Sequence, residues 1–431
     1  MNSRFVIAAA SSGSGKTTLT LGLLRSLRRR NLSVSPFKCG PDYIDPMWHK
    51  AASGSDSINL DTFLASEAHV RQLFARYASG SDVCVVEGVM GMFDGYDKMS
   101  GSSADISRLL DIPVVLFVNA ASTAYSVAAT IFGFKNFRPD IKIAGVIFNR
   151  VASRRHFSFL KDACHDAGVE CFGYIGRISD MEMPSRYLGL SIESQHSMNV
   201  FVDKAADAVA SGVDIDALLA ATQIDTTPYV PDFASTSKTH FKVAVASDEA
   251  FNFIYPANIL ALREHPCYDI SVEYFSPLRD SVMPQCDMLY LPGGYPELYA
   301  AELSANSAMI DSVRTYAENG GKILAECGGM MYLMRGVDDY PMCGVLPMDV
   351  TMHSPKLTLG YRSLMIDGEI WRGHEFHYSR VLNPDELPSI AVQRNAKGKE
   401  VPTPLYRYKN VIAGYTHLYW GDKDILRLWQ I

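Results

Sequence analysis

The sequence predicts an α/β protein of two domains, each built on a largely parallel sheet with helices packed against it. Three observations predict this. Apolar runs rich in β-branched residues alternate with amphipathic stretches in both halves of the chain. One stretch, residues 222–241, breaks the rhythm with two prolines and many Ser and Thr, as a linker does. The length of 431 residues suits two or three domains at about 100–200 residues each. The expected division is a first domain over 1–221, a linker over 222–241 and a second domain over 242–431.

The elements follow in order. RFVIAAA (4–10) reads as a buried strand, and TTLTLGLLRSLRRR (17–30) as a helix. Leu19, Leu23, Leu24 and Leu27 fall at helical spacing, and the basic last turn suits a helix C-terminus. VSPFKCG (34–40), DVCVVEG (82–88), IPVVLFVNA (112–120) and IKIAGVIFNRV (141–151) read as strands buried on both faces. After the linker, KVAVASD (242–248) is a strand, and FNFIYPANILALREH leads into a helix. ISVEYFSPL (270–278), CDMLYLPGG (286–294) and GKILAECGG (321–329) are further strands ending in loops. No repeat of 20–50 residues interrupts this order.

Between the first strand and the first helix lies Ala10-Ser11-Ser12-Gly13-Ser14-Gly15-Lys16-Thr17-Thr18. A strand, a glycine loop and a helix opening on Lys-Thr is the context of a phosphate-binding P-loop. Gly13 and Gly15 let backbone N–H groups turn toward phosphate oxygens, and the helix N-terminus adds partial positive charge. Lys16 would reach the β- and γ-phosphates, Thr17 would hold Mg²⁺, and Thr18 would line the same ATP site. The bland alternative is a Ser/Gly turn before a helix, which the GKTT run and its flanks disfavour.

Two acidic segments sit where a Mg·ATP site needs them, at strand ends. One is Lys38-Cys39-Gly40-Pro41-Asp42-Tyr43-Ile44-Asp45-Pro46, the other Glu87-Gly88-Val89-Met90-Gly91-Met92-Phe93-Asp94-Gly95. Asp45 and Glu87 are expected as metal ligands, and Lys38, Asp42 and Asp94 at the substrate. Turn chemistry beside proline or glycine is the alternative for Asp42, Asp45 and Asp94. Asn149 ends the strand GVIFNRV and would read the adenine edge or cap the strand.

In the second half, Glu326-Cys327-Gly328-Gly329 places a cysteine at a tight strand-to-helix turn. Such a turn exposes the sulfur, and a helix N-terminus lowers a thiol pKa. Leu291-Pro292-Gly293-Gly294 offers N–H groups for an oxyanion, as does Gly328. His417, in GYTHLYW, can meet a distant cysteine in such a fold. His374-Glu375-Phe376-His377 superficially resembles the zinc motif HExxH but is one residue short; its strand-like alternation favours a structural or substrate-contact role over metal.

Composition narrows the classes further. Hydrophobic residues make up 48% and charged residues 20%, which excludes a disordered or fibrous chain. The net charge of −7 argues against wrapping nucleic acid. No apolar run approaches the roughly 20 residues of a bilayer span. Phe5 to Ala10 is short for the apolar core of a secretory signal and runs into the glycine loop. Eight cysteines with no CxxC pair are too sparse for a disulfide framework, so a reduced, cytoplasmic protein is expected.

Taken together, the P-loop, GPDYIDP, EGVMGMFDG, FSPLRD, LPGGYPEL and AECGGMMYL, in that order, resemble the cobyrinate a,c-diamide synthases, the CbiA/CobB amidotransferases of cobalamin biosynthesis. The resemblance covers nearly the whole chain. It implies a first domain like dethiobiotin synthetase, with a P-loop fold, and a second of the class I glutamine amidotransferase type, flavodoxin-like α/β. Ala10, where a general P-loop carries glycine, fits this group. The resemblance makes Cys327 the nucleophile and His417 its activating base. Class I glutaminases usually carry a Glu two residues after that histidine; Tyr419 stands there, implying a dyad. Lys16, Thr17, Asp45, Glu87 and Asp94 match positions handling Mg·ATP and the acidic substrate.

The implied reaction is ATP- and glutamine-dependent amidation of two acetate side chains of a corrinoid or related tetrapyrrole, with Mg²⁺ as cofactor. Neither nucleic acid nor membrane is an expected partner, and a homodimer is compatible. Within the class, hydrogenobyrinate and Ni-sirohydrochlorin a,c-diamide synthases share the motifs. From another class, a P-loop switch ATPase with a non-catalytic second domain would need no intact cysteine site.

Overall fold

The computed structural model describes residues 2–176, 192–225 and 238–430. The chain forms two compact units, one mostly before and one mostly after the expected linker. Of that linker, residues 226–237 lie outside the described residues. Its first residues belong to the first unit: the Arg4 amide donates to the Thr222 carbonyl at 3.0 Å, and Ile224 to Asn2 at 3.1 Å. Its last residues open the first strand of the second unit, three residues earlier than the sequence suggests.

The first unit runs β1 (Ser3–Ala9), α1 (Lys16–Arg29), β2 (Val34–Cys39), α2 (Ile44–Ser53), β3 (Ile58–Leu60), α3 (Glu67–Ala78), β4 (Val83–Glu87), α4 (Ser103–Leu110), β5 (Val114–Asn119), α5 (Val127–Phe137), β6 (Ile143–Val151), α6 (Arg154–Asp166), β7 (Cys171–Gly176), α7 (Ile192–Gly212) and α8 (Ile215–Ala221). Its seven strands form one parallel sheet in the order β3-β2-β4-β1-β5-β6-β7. The central strands are apolar on both faces because helices cover both, as the unbroken apolar runs require. One face carries Phe5, Ile7, Val85, Val115 and Phe117 against Leu19, Leu23 and Leu27 of α1 and Val202 and Val209 of α7.

The second unit opens with β8 (Thr239–Ala246), α9 (Pro256–Arg263), β9 (Tyr268–Phe275), β10 (Met288–Leu291), α10 (Ala300–Ala305), α11 (Ser307–Glu318), β11 (Lys322–Glu326) and α12 (Gly328–Leu333). Short strands β12 (Gly336–Val337), β13 (Tyr340–Pro341) and β14 (Asp349–Thr351) follow. Then come β15 (Thr358–Ile366), β16 (Glu369–His377), β17 (Arg380–Leu382), β18 (Gln393–Arg394), β19 (Glu400–Val401), β20 (Leu405–Tyr408), β21 (Val411–Gly414) and β22 (His417–Tyr419). The main sheet has the order β20-β21-β11-β10-β8-β9, parallel except where β20 joins β21. Alternate residues face two cores: Ala244, Leu289, Ile323 and Ala413 one way, Val243, Met288, Leu324 and Ile412 the other. A second sheet, β19-β18-β15-β16-β22, is antiparallel, and the HEFH segment lies in its strand β16, as the alternation suggested.

Candidate functional site

In the first unit the phosphate loop turns through Gly13 (φ 72°) and Gly15 (φ 93°), conformations glycine adopts without a Cβ penalty. The Ser14 hydroxyl donates to the Ser11 carbonyl at 2.8 Å and closes the loop. Lys16 begins α1, and its ammonium donates to the carbonyls of Ser11 (3.2 Å) and Met90 (2.5 Å). Burial, then the neighbouring Lys38, pushes its pKa down.

Beside the loop lies a buried charge cluster. Lys38 and Glu87 are partners across β2 and β4, so their side chains leave the sheet together. The Lys38 ammonium lies 2.7 Å from Asp45 and 3.0 Å from Glu87. Glu87 also accepts from the Thr17 hydroxyl (2.7 Å) and meets His49 Nε2 at 2.7 Å. Burial opposes ionisation of Glu87, but Lys38, His49 and Thr17 together hold its carboxyl below the usual range. Asp45 goes the other way, raised by burial against the pull of Lys38. His49, which sequence reasoning missed, is fully buried and ties Glu87 to Ser57 through Nδ1 at 2.9 Å. Its signal was available: it follows Asp45 by four residues on α2, which puts both on one helix face.

Several expected residues are placed differently. Lys38, expected at the substrate, is 3% exposed and enclosed by the two carboxylates expected to bind metal. Asp42 accepts from the N–H groups of Ile44 and Asp45 at the start of α2, and Asp94 accepts from Gly91 N–H. Both are therefore engaged in the turn chemistry weighed as the alternative. Asn149 donates to the Ser14 carbonyl at 2.8 Å, and a Cβ on Gly15 would stand 2.6 Å from its amide nitrogen. The side chain expected to read adenine thus braces the phosphate loop. Thr18, the third residue of α1, is half-buried.

In the second unit Cys327 joins β11 to α12 with φ 48° and ψ −105°, a strained backbone for a residue with a Cβ. Its N–H donates to the Gly414 carbonyl at 2.7 Å, and its sulfur lies 4.0 Å from the Phe376 carbonyl. The expected lowering of its pKa is reversed. Burial, then Glu297, pushes the thiol up, and contact with the Gly328 N–H offsets only part of this. The six-residue α12 is too short for its N-terminal field to win against desolvation. Gly294 and Gly328 come together as expected: a Cβ on Gly328 would stand 3.1 Å from the Gly294 nitrogen. At Gly294 any Cβ would meet the Ala250 carbonyl at 2.0 Å, so only glycine fits.

His417 starts β22 and is fully buried. The backbone of Gly293 approaches it so closely that a Cβ there would stand 2.2 Å from Cε1 of the ring. Burial, then His374 and His377, hold the imidazole well below its usual pKa, so the ring is neutral and can accept a proton. Glu326 ends β11, immediately before Cys327. It accepts from Leu418 N–H (2.9 Å) and the Tyr290 hydroxyl (2.8 Å), and burial raises its pKa to about 8. These bonds fix β22 against the end of β11, the strand that delivers Cys327.

Comparison with known proteins identifies the family. Residues 5–190 match the model of the CobQ/CobB/MinD/ParA nucleotide binding domain, and residues 242–425 that of the CobB/CobQ-like glutamine amidotransferase domain. A hydrogenobyrinate a,c-diamide synthase of Brucella anthropi is 39% identical over 97% of this chain and 99% of its own. A cobyrinate a,c-diamide synthase of Salmonella typhimurium is 38% identical over 99% of this chain and 97% of its own. One from Caldanaerobacter subterraneus subsp. tengcongensis is 37% identical over 96% and 94%. With both domain models matched and such similarity along the whole length, the chain belongs to the cobyrinate and hydrogenobyrinate a,c-diamide synthase family.

Proposed function

We propose that the chain amidates the a and c acetate carboxylates of cobyrinate, spending ATP to activate each carboxylate and taking nitrogen from glutamine. The observation that carries this reading is one chain holding both a phosphate loop beside buried acid groups and a cysteine at a strained turn, with the Gly294 nitrogen close to Gly328. The names of the similar synthases supply the macrocycle.

A carboxylate does not condense with ammonia unaided. One oxygen of the acetate would attack the γ-phosphorus, releasing ADP and leaving an acyl phosphate. Ammonia would then add to the acyl carbon and expel phosphate. Lys16 would follow the phosphoryl charge, turning from the Ser11 and Met90 carbonyls. The donor set suits Mg²⁺: a hydroxyl and a carboxylate, Thr17 and Glu87, 2.7 Å apart at the loop. Among the described residues no three His, Cys, Asp or Glu side chains could hold a metal alone, which fits an ion completed by phosphate and water. Thr17 and Glu87 would hold it, and Mg²⁺ when bound would offset phosphate charge. Asp45 would act through Lys38, to which it is bound.

In the second unit Cys327 would give its proton to His417, and its sulfur would bond to the amide carbon of glutamine. Gly294 and Gly328 N–H groups would hold the oxyanion. The C–N bond breaks, ammonia leaves with the proton, and water hydrolyses the thioester. Among the described residues no helix is long and apolar enough to cross a membrane; a cytoplasmic location, and a homodimer, belong to the same proposal.

Hydrogenobyrinate is the second reading, since its synthases match as closely. Turnover with cobyrinate, hydrogenobyrinate and Ni-sirohydrochlorin side by side, read by product mass, decides between them. Cys327→Ser should lose glutamine-driven product by about 10³-fold or more while ammonia still serves. Equal loss with both nitrogen sources would make the cysteine a support of the fold or of substrate binding; a wild-type protein without glutaminase activity would favour a switch ATPase.

A further inference from the structure

His417 has no carboxylate two residues on to orient it, since Tyr419 occupies that place. What holds the ring is visible in the register of the second sheet. Strand β16 runs antiparallel to β22 with His374 directly opposite His417. The two imidazoles stack with centroids 5.1 Å apart and planes 20° from parallel. His374 in turn is tied through Nδ1 to the Tyr255 hydroxyl at 3.0 Å. Tyr255 also stands edge-on to Tyr419 at 5.4 Å, so the tyrosine that replaces the usual carboxylate supports the same assembly. The Gly293 backbone presses on the His417 ring as well. Tyr255, His374 and His417 are all buried.

We propose that His374, anchored by Tyr255, is the positioning residue for His417, taking by ring stacking the orienting role a carboxylate holds in a triad. This rests on the glutaminase reading above. The exchange has a chemical consequence. A carboxylate behind the base favours the imidazolium; a stacked imidazole disfavours it, because two cationic rings would repel. With burial acting the same way, the base stays neutral. The titratable groups that act on it are His374 and His377 from β16; Glu326, at the end of β11, is bonded to the N–H of the next residue, Leu418, and Tyr255, before α9, packs on His374.

The test compares His374→Ala, His374→Phe and Tyr255→Phe in the full-length protein. The readouts are glutamine-driven turnover, ammonia-driven turnover, and the pH dependence of Cys327 labelling by a glutamine-analogue electrophile. His374→Ala should lower the glutamine-to-ammonia product ratio by about 10–100-fold, in kcat with little change in KM, the size seen when a supporting partner is lost. His374→Phe keeps a ring to stack on and should recover most of that ratio. It also removes a group that repels the imidazolium, so the acid limb of labelling should move to higher pH. Tyr255→Phe should fall between the two. An unchanged ratio and limb in His374→Ala overturns the proposal, as does Phe failing to rescue Ala. If the wild-type protein itself resists labelling at Cys327, the glutaminase reading fails first and the proposal with it.

Discussion

Glu87 and Glu326 each end an inner strand of their unit's main sheet, and each is 1% exposed. Their carboxyls nevertheless shift in opposite directions. Around Glu87 stand Lys38, His49 and the Thr17 hydroxyl, and the group is held ionised. Around Glu326 stand only a backbone N–H and a phenol, and the group is held neutral near pH 7. The difference is the buried Lys38 ammonium together with His49 and the Thr17 hydroxyl. It suits the two chemistries: phosphoryl transfer needs fixed cations and anions in place beforehand, whereas no buried ammonium stands beside the Glu326 carboxyl next to the thiol.

The sharpest way to break this contrast is to remove charge from the first site. Lys16→Ala should cost about 10²–10³-fold or more in amidation with glutamine and with ammonia alike, because carboxylate activation precedes nitrogen transfer. Cys327 labelling should continue. Retained ammonia-driven turnover would remove the loop from the reaction.

Glu87→Gln tests the cluster itself. It leaves Lys38 with Asp45 alone and turns the anion facing His49 and Thr17 into an amide. Breaking a buried pair costs about 3–5 kcal/mol, and Asp45 should keep the loss near the lower end. Because the Glu87 carboxyl is depressed, its contribution is present above the unfolded value of about 4.3 and is lost as pH falls through the folded value. The variant's deficit should therefore be large at neutral pH and shrink in acid, read by denaturant midpoint. Its Mg²⁺ requirement for turnover should rise as well. A deficit independent of pH would mean that shape, not charge, is what Glu87 supplies.

The sequence made the two loops legible because each is local: strand, small residues, then helix, with Lys16 or Cys327 at the joint. It left the partners hidden because they meet across strands. Lys38 faces Glu87 only because β2 lies beside β4, and His374 faces His417 only because β16 lies beside β22. A run such as VSPFKCG shows that a strand exists, not which strand neighbours it or in what register. Hence Lys38 was expected to point at substrate, His49 went unnoticed, and the HEFH segment had no assigned task. The thiol shift was missed for a related reason. A glycine turn announces an exposed sulfur, but the depth of burial under β16 and the loop ending in Gly294 is a tertiary fact.

The second glutamate gives the smallest effect and the opposite sign. The folded pKa of Glu326 is raised to about 8, above the unfolded value of about 4.3. Between those values the unfolded chain binds fewer protons than the folded one, so stability falls as pH rises across that window and levels off above it. Glu326→Gln removes the titration while keeping both bonds: the amide carbonyl can accept from Leu418 N–H, and its NH₂ can donate to the Tyr290 oxygen. Wild type and variant should have nearly equal denaturation midpoints at about pH 5, with the variant ahead by up to about 3–5 kcal/mol at about pH 9. Curves that stay parallel across that range would show that Glu326 is ionised in the folded protein. The second site would then hold a buried anion beside its thiol, and the contrast with Glu87 would be lost.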